Sequence, residues 1–222
     1  MRLAKIVPLL LSCFLTLSIT LHAATDEEWK AEGRFSFIVK DDNTIEITDY
    51  NDYWNLGYPS PEVIDFPDKI NEFLVTSIGD ANNSGPLSLQ KIRIPGSIKK
   101  VGKMAFSGCE RLDTVILEEG VEEIGAFAFA GCASLRELYL PASIKIIGDN
   151  PFLNCGEIYE MNRFSYEFTL SLSELNESFS LYDDLLICNE NRQLIYCAQS
   201  RQGTVVLDSR RPAVRCGLDG HL

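Results

Sequence analysis

Histidine is nearly missing from this chain. His22 and His221 are the only two in 222 residues. Most of the sequence therefore has no imidazole to act as a general base or a metal ligand. Basic residues are also scarce. Twenty Lys and Arg stand against 32 Asp and Glu, a formal charge of −12. That balance argues against a nucleic-acid partner, because Lys/Arg clusters supply most of the affinity for phosphate backbones. No two cysteines are spaced CxxC, so no zinc or thioredoxin signature arises. Gly96 to Lys103 is one residue too long for a phosphate-binding loop and is followed by Met104 rather than Ser or Thr. Asp41-Asp42-Asn43-Thr44-Ile45-Glu46 lacks the alternation and the glycine of a calcium loop, and reads as a solvated hairpin turn. The chain is thus read as no enzyme, with no cofactor, no metal and no small-molecule substrate. Disorder is excluded as well, since 45% of the residues are hydrophobic and 23% charged.

The one long apolar run lies at the amino end. Arg2 and Lys5 precede Ile6 to Leu21, and Leu21-His22-Ala23-Ala24 offers small residues for cleavage. Residues 1–24 read as a signal peptide for export rather than a membrane anchor, placing the protein at the cell surface, in a periplasm or in the medium. Leu10-Leu11-Ser12-Cys13 is a weaker, early lipoprotein box. Removing residues 1–24 deletes two basic residues and leaves 18 basic against 32 acidic groups.

The middle of the chain repeats itself every 23 residues. The copies are LQKIRIPGSIKKVGKMAFSGCER from Leu89, LDTVILEEGVEEIGAFAFAGCAS from Leu112 and LRELYLPASIKIIGDNPFLNCGE from Leu135. Apolar identity returns at Leu89, Leu112, Leu135 and Ile158. It returns again at Ile92, Val115 and Leu138, and at Ile94, Leu117 and Leu140. Ile98, Val121 and Ile144 follow, then Val101, Ile124 and Ile147. Gly102, Gly125 and Gly148 form a glycine column, Phe106, Phe129 and Phe152 an aromatic one, and Cys109, Cys132 and Cys155 a thiol column. The first apolar pair fits a strand with alternating inward residues. Pro95 and Pro141 stop that strand, because proline cannot donate to a ladder. The glycine supplies either a conformation or a closeness that a side chain would block. The aromatic fills the coil interior and stacks on its neighbours.

These residues resemble the BspA-like, or treponemal-type, leucine-rich repeats, whose pattern is LxxLxIPxxIxxIGxxAFxxCxx. The resemblance extends to FSFIVKDDNTIEITDYN from Phe35, similar to an amino-terminal hairpin cap. Phe66 to Asn71 with Val75, Ile78 and Gly79 is similar to a first, degenerate repeat. Leu181 to Ile187 with Gln193 to Tyr196 is similar to an inserted hairpin. It implies a β-dominated, α/β-type repeat solenoid: a right-handed leucine-rich-repeat coil with one parallel strand per coil. The expected organisation is a cap over 25–62, repeats over 63–160 (degenerate at 63–88, clear at 89–157), an insert over 161–203, and a further repeat start with an anomalous tail over 204–222. That tail shows no apolar closure, so the expectation is either a truncated array or an uncapped C-terminal end covered by a partner or, through self-association, by a second copy of the chain. The resemblance also implies a bacterial protein-binding module that adheres to host extracellular-matrix proteins or to cell-surface proteins of other cells. The alternative is an envelope scaffold without a host ligand. Protease added to intact cells separates the two, since a protected protein cannot be a host adhesin.

The cysteine column reads as small buried thiols rather than disulfides, although stacked coils would bring the sulfurs within bonding range. Cys188 and Cys197 flank a turn at Glu190-Asn191 unevenly, which sets Cys188 near Gln193 and Cys197 near Asp184. A bond between them needs a different register. Cys216 has no assigned partner. Lys99, Glu122 and Lys145 share a column and Lys100 faces Glu123, charges that support register between coils. If Leu89, Ile92 and Ile94 point inward, Lys91 and Arg93 point outward. One period on come Thr114 and Ile116, then Glu137 and Tyr139. These six residues are the expected binding (concave) face, with Ile116 and Tyr139 as anchors beside Arg93. Ordinary packing between neighbouring strands is the plainer reading of the same residues.

Overall fold

The computed structural model describes residues 35–49, 62–81, 88–160, 163–166, 168–182, 184–197, 203–205 and 214–216. The expected signal peptide with Cys13, parts of the expected cap and most of the tail, with the end expected to be uncapped, lie outside these residues. Among the described residues every regular element is a strand. β1 (Ser36–Val39) and β2 (Thr44–Asp49) form an antiparallel hairpin. Its turn is closed by Asp42, whose carboxylate accepts from the Thr44 N–H at 3.0 Å and the Thr44 hydroxyl at 2.6 Å. That contact holds the Asp42 carboxyl below its usual range. β3 (Val63–Asp65), β4 (Lys69–Ile70) and β5 (Phe73–Ile78) make the next coil.

Each clear repeat then contributes two strands rather than one. These are β6 (Lys91–Ile94) with β7 (Lys100–Val101), β8 (Thr114–Leu117) with β9 (Glu123–Ile124), and β10 (Glu137–Leu140) with β11 (Ile146–Ile147). The second strand forms because the pair Ile98 and Val101 is as fully buried as the first, so the chain meets the core twice per coil. Residues pair in parallel, Ile92 with Val115, Val101 with Ile124, and Ile124 with Ile147. One wall is ordered β1-β2-β5-β7-β9-β11, the other β3-β6-β8 and β10-β14.

The continuation after β11 departs from the period. Ile158, which the repeat arithmetic put in the Leu89 column, lies in β12 (Glu157–Glu160), hairpinned to β13 (Arg163–Tyr166). The next strand of the wall is β14 (Thr169–Leu172), whose Leu170 pairs with Leu138. This strand falls inside the stretch assigned to the insert. The hairpin β12–β13 adds length to the loop and displaces the period. Asn176 secures the return: its side-chain amide reaches the carbonyls of Pro141 at 3.1 Å and Ile144 at 3.0 Å, while its oxygen accepts from Phe179 N–H at 2.8 Å. β15 (Phe179–Tyr182), β16 (Leu185–Cys188) and β17 (Leu194–Cys197) form a three-stranded meander rather than a hairpin alone, followed by the antiparallel pair β18 (Gly203–Val205) and β19 (Val214–Cys216).

The core is a column of rings. Phe106 and Phe129 stack at 5.4 Å, and Phe129 and Phe152 at 6.2 Å. Phe66 and Phe35 continue the column at one end, Phe168 and Tyr196 at the other. The edge beside it is a run of turns in which alternate N–H groups serve different partners. Met104, Phe106 and Gly108 donate to Ala126, Ala128 and Ala130 of the next coil, while Ala105, Ser107 and Cys109 donate back within their own coil. No backbone donor in that run is wasted.

Cys109, Cys132 and Cys155 are buried thiols outside any disulfide. The Cys132 thiol donates to Phe106 O at 3.3 Å and the Cys155 thiol to Phe129 O at 3.2 Å, each reaching back one coil. Cys188 is free and its N–H bonds Gln193 O, whereas Cys197 pairs with Leu185 and is disulfide-bonded to another partner. Burial pushes the Cys155 thiol from its ordinary 9.0 up to about 12, and pushes Cys132 up as well. A raised folded-state value means that the unfolded chain releases the proton first. The stability tied to these neutral thiols is complete below pH 9.0 and is lost as pH climbs toward about 12. Urea midpoints should therefore hold up to pH 9 and fall steadily above it. Mass-mapped alkylation at pH 8 should modify Cys188 while sparing Cys109, Cys132 and Cys155 until denaturant is added.

Candidate binding surface

Strand alternation builds the outer face of the β3-β6-β8 and β10-β14 wall. Beneath it Ile64, Ile92, Val115, Leu138 and Leu170 are buried and anchor each strand to the core. Lys91 and Glu137 are exposed, and Arg93 and Thr114 are half-buried. Ile116 is 39% exposed and Tyr139 49% exposed, far above the other isoleucines of the clear repeats on this wall. All six residues expected on this face are on it, brought together by the parallel register Lys91–Thr114 and Arg93–Ile116 on one side of β8. On the other side β10 lies alongside, and Tyr139 pairs with Ser171 of β14.

The face is wider than the six residues. Val63 and Asp65 pair with Lys91 and Arg93, and Val63 is 47% exposed. The signal for these two is in the sequence: Val63-Ile64-Asp65-Phe66-Pro67 has the same inward-apolar, proline-stopped order as Lys91-Ile92-Arg93-Ile94-Pro95. Thr169 and Ser171 extend the face at the far edge.

Its charges divide into committed and free. Arg93 is tied to Glu118 at 2.5 Å, which sits where Pro95 and Pro141 stand in the flanking coils. Glu118 can donate its N–H to Ile94 O at 3.0 Å, a bond that proline lacks. Among the described residues Asp65, Lys91 and Glu137 enter no such ion pair. On the other wall the paired charges hold register as expected: Lys100 meets Glu123 at 3.0 Å and Lys145 meets Glu122 at 2.7 Å. The Lys100 ammonium is held above its ordinary range by the Glu123 hydrogen bond, and the Glu122 carboxyl below its own by Lys145. Glu119 ties the second coil to the third, accepting from Ala142 N–H at 2.9 Å and Ser143 N–H at 3.2 Å. On the second wall the Lys100–Glu123 and Lys145–Glu122 charges are paired between coils.

Residues 64–181 match the family model for the BspA type leucine rich repeat region, in 6 copies. The chain belongs to this family. This BspA-type protein is similar to the solved structure of a leucine-rich repeat protein from Bacteroides capillosus, at 26% identity and a TM-score of 0.52, over 64% of this chain and 95% of that one. It is also similar to the T. pallidum leucine rich repeat protein TpLRR, at 25% identity and a TM-score of 0.48, over 58% of this chain and 55% of that one. A Bacteroides ovatus leucine-rich repeat protein aligns at 26% identity and a TM-score of 0.48, over 64% of this chain and 36% of that one. The match thus spans about half of the T. pallidum protein. No curated protein matches the chain.

Proposed function

We propose that this BspA-type chain is an exported binding module whose repeat wall captures a protein, an extracellular-matrix or cell-surface protein of a host or of another cell. The observation that carries the reading is Ile116 and Tyr139 standing exposed at the middle of a wall whose inward residues are buried, with charged side chains around them. An apolar centre inside a polar rim is the anatomy of a protein interface, and a solenoid wall presents it without ordering cost. Export rests on residues 1–24 of the sequence. The reading assigns the chain no catalytic step.

The test is the double variant Ile116→Asp with Tyr139→Asp, first checked for an unchanged circular dichroism spectrum and then assayed against immobilised matrix proteins and whole cells. Binding should fall by about 30-fold or more, as expected for loss of interface anchors. A folded double variant that binds as well as wild type removes the wall as the binding surface.

A further inference from the structure

The residues on this wall are arranged so that the wall complements itself. Taken across the strands, one row is Val63, Lys91, Thr114, Glu137 and Thr169, and the other is Asp65, Arg93, Ile116, Tyr139 and Ser171. The first row is positive on one side of Thr114 and negative on the other. The second carries a guanidinium on one side of Ile116 and an aromatic ring on the other.

We infer that the wall pairs with the same wall of a second copy of this chain, about a two-fold axis parallel to the strands and lying over β8. That operation carries each column to its mirror column while keeping its row. Lys91 then meets Glu137 of the other copy, and does so twice per dimer. Arg93 meets the face of Tyr139, a cation–π contact open to a guanidinium whose fork already holds Glu118. Ile116 meets Ile116 at the axis, and Thr114 meets Thr114. Such an isologous contact closes on itself and forms a dimer rather than a fibre.

Among the described residues Asp65, Lys91 and Glu137 are the charges of these rows that stay exposed and outside the ion pairs that hold the coils in register. Lys91 and Glu137 stand in mirror columns, whereas Asp65 falls opposite the uncharged Ser171. Lys91 and Glu137 are therefore each available to the other copy. Thr114, the residue on the axis, is uncharged, so the two-fold brings no like charges together within either row.

Size sets the strength. Five strands about 4.8 Å apart, each with about four residues of about 3.3 Å, give a footprint of roughly 24 by 13 Å. An interface of that kind belongs to the weak class below about 1,200 Å² in total, so dimerisation is expected at about 0.1–1 mM. On a cell surface, where copies are held at high local density, such an affinity closes the face until a stronger ligand displaces the second copy. The inference uses the same wall as the proposed function and rests on that wall being open.

Sedimentation velocity and small-angle scattering over a concentration series at low ionic strength test it. Wild type should shift from monomer to dimer, and the shift should weaken in high salt, which screens exposed charge pairs. Lys91→Glu alone and Glu137→Lys alone should each weaken the dimer about tenfold or more, by setting like charges opposite. An equimolar mixture of the two single variants should recover it, because both cross-pairs become opposite again, and so should the double swap. A wild type that stays monomeric at about 1 mM, or a mixture that fails to recover, overturns the inference. If wild type stays monomeric while Ile116→Asp with Tyr139→Asp still abolishes capture of matrix proteins or cells, self-association fails and the binding wall stands. If the dimer forms and the swap recovers it while that double variant captures partners as wild type does, self-association stands without the proposed function.

Discussion

Phe129→Ala should cost about 3–5 kcal/mol of stability, the range for truncating a fully buried aromatic. Phe129 has no exposed surface and sits mid-column, 5.4 Å from Phe106 and 6.2 Å from Phe152, nearly parallel to the first at 11°. The cavity cannot collapse cheaply. Backbone bonds from Met104, Phe106 and Gly108 to the next coil, and from Phe127, Phe129 and Gly131 to the one after, fix the spacing on both sides of the ring. In a repeat array, stability comes largely from coupling between neighbours, and this ring supplies that coupling for two junctions at once. Urea unfolding should show a large fall in midpoint. Tyr139→Ala, an exposed control on the outer wall, should change stability by less than about 1 kcal/mol. A Phe129→Ala loss no larger than the control's would mean that the ring column is not what couples the coils.

The parts of this fold legible in the sequence are those where one kind of environment returns at a fixed spacing. Ile92, Val115 and Leu138 occupy equivalent places in successive strands, and burial selects an apolar side chain each time. Outward residues follow from alternation, so the position of Lys91, Arg93, Thr114, Ile116, Glu137 and Tyr139 could be read before any coordinates. What each does there could not. The commitment of Arg93 to Glu118 depends on the side chain of a neighbouring coil, and nothing in the spacing reports it. The ends of the ring column were also hidden. Phe35, Phe168 and Tyr196 come from segments with no periodicity, and only the fold brings them onto Phe66 and Phe152. β14 escaped for a related reason: the hairpin β12–β13 shifts it off the period, while Ile158 happens to fall on it. Asn176 is polar, single and far in sequence from the carbonyls it serves, so its role appears only once those carbonyls are placed.

Gly125→Ala is expected to be nearly as damaging as loss of the ring, for the opposite physical reason. A Cβ added at Gly125 would stand 2.6 Å from the Gly102 carbonyl carbon and 2.6 Å from the Lys103 nitrogen. These are backbone atoms of the preceding coil, held by the Gly125 N–H bond to Val101 O at 2.8 Å, and they have no side-chain freedom with which to yield. The same closeness recurs at Gly102, whose Cβ would meet Gly79 at 2.4 Å, and at Gly148, whose Cβ would meet Ala126 at 2.4 Å. The column therefore serves close approach between coils, not an unusual backbone conformation. Relief requires the coils to part, which lengthens the ladder bonds and loosens the ring stack together. Overpacking of this kind costs about 3 kcal/mol at its upper range. Gly131 is the control. Its φ is +75°, but an added Cβ there meets nothing closer than 3.6 Å, so Gly131→Ala should cost only the about 1–2 kcal/mol of a left-handed alanine. Chemical denaturation of the two variants side by side separates the causes. If Gly125→Ala proves no worse than Gly131→Ala, the coils have room to spare and close approach is not what the glycine column provides.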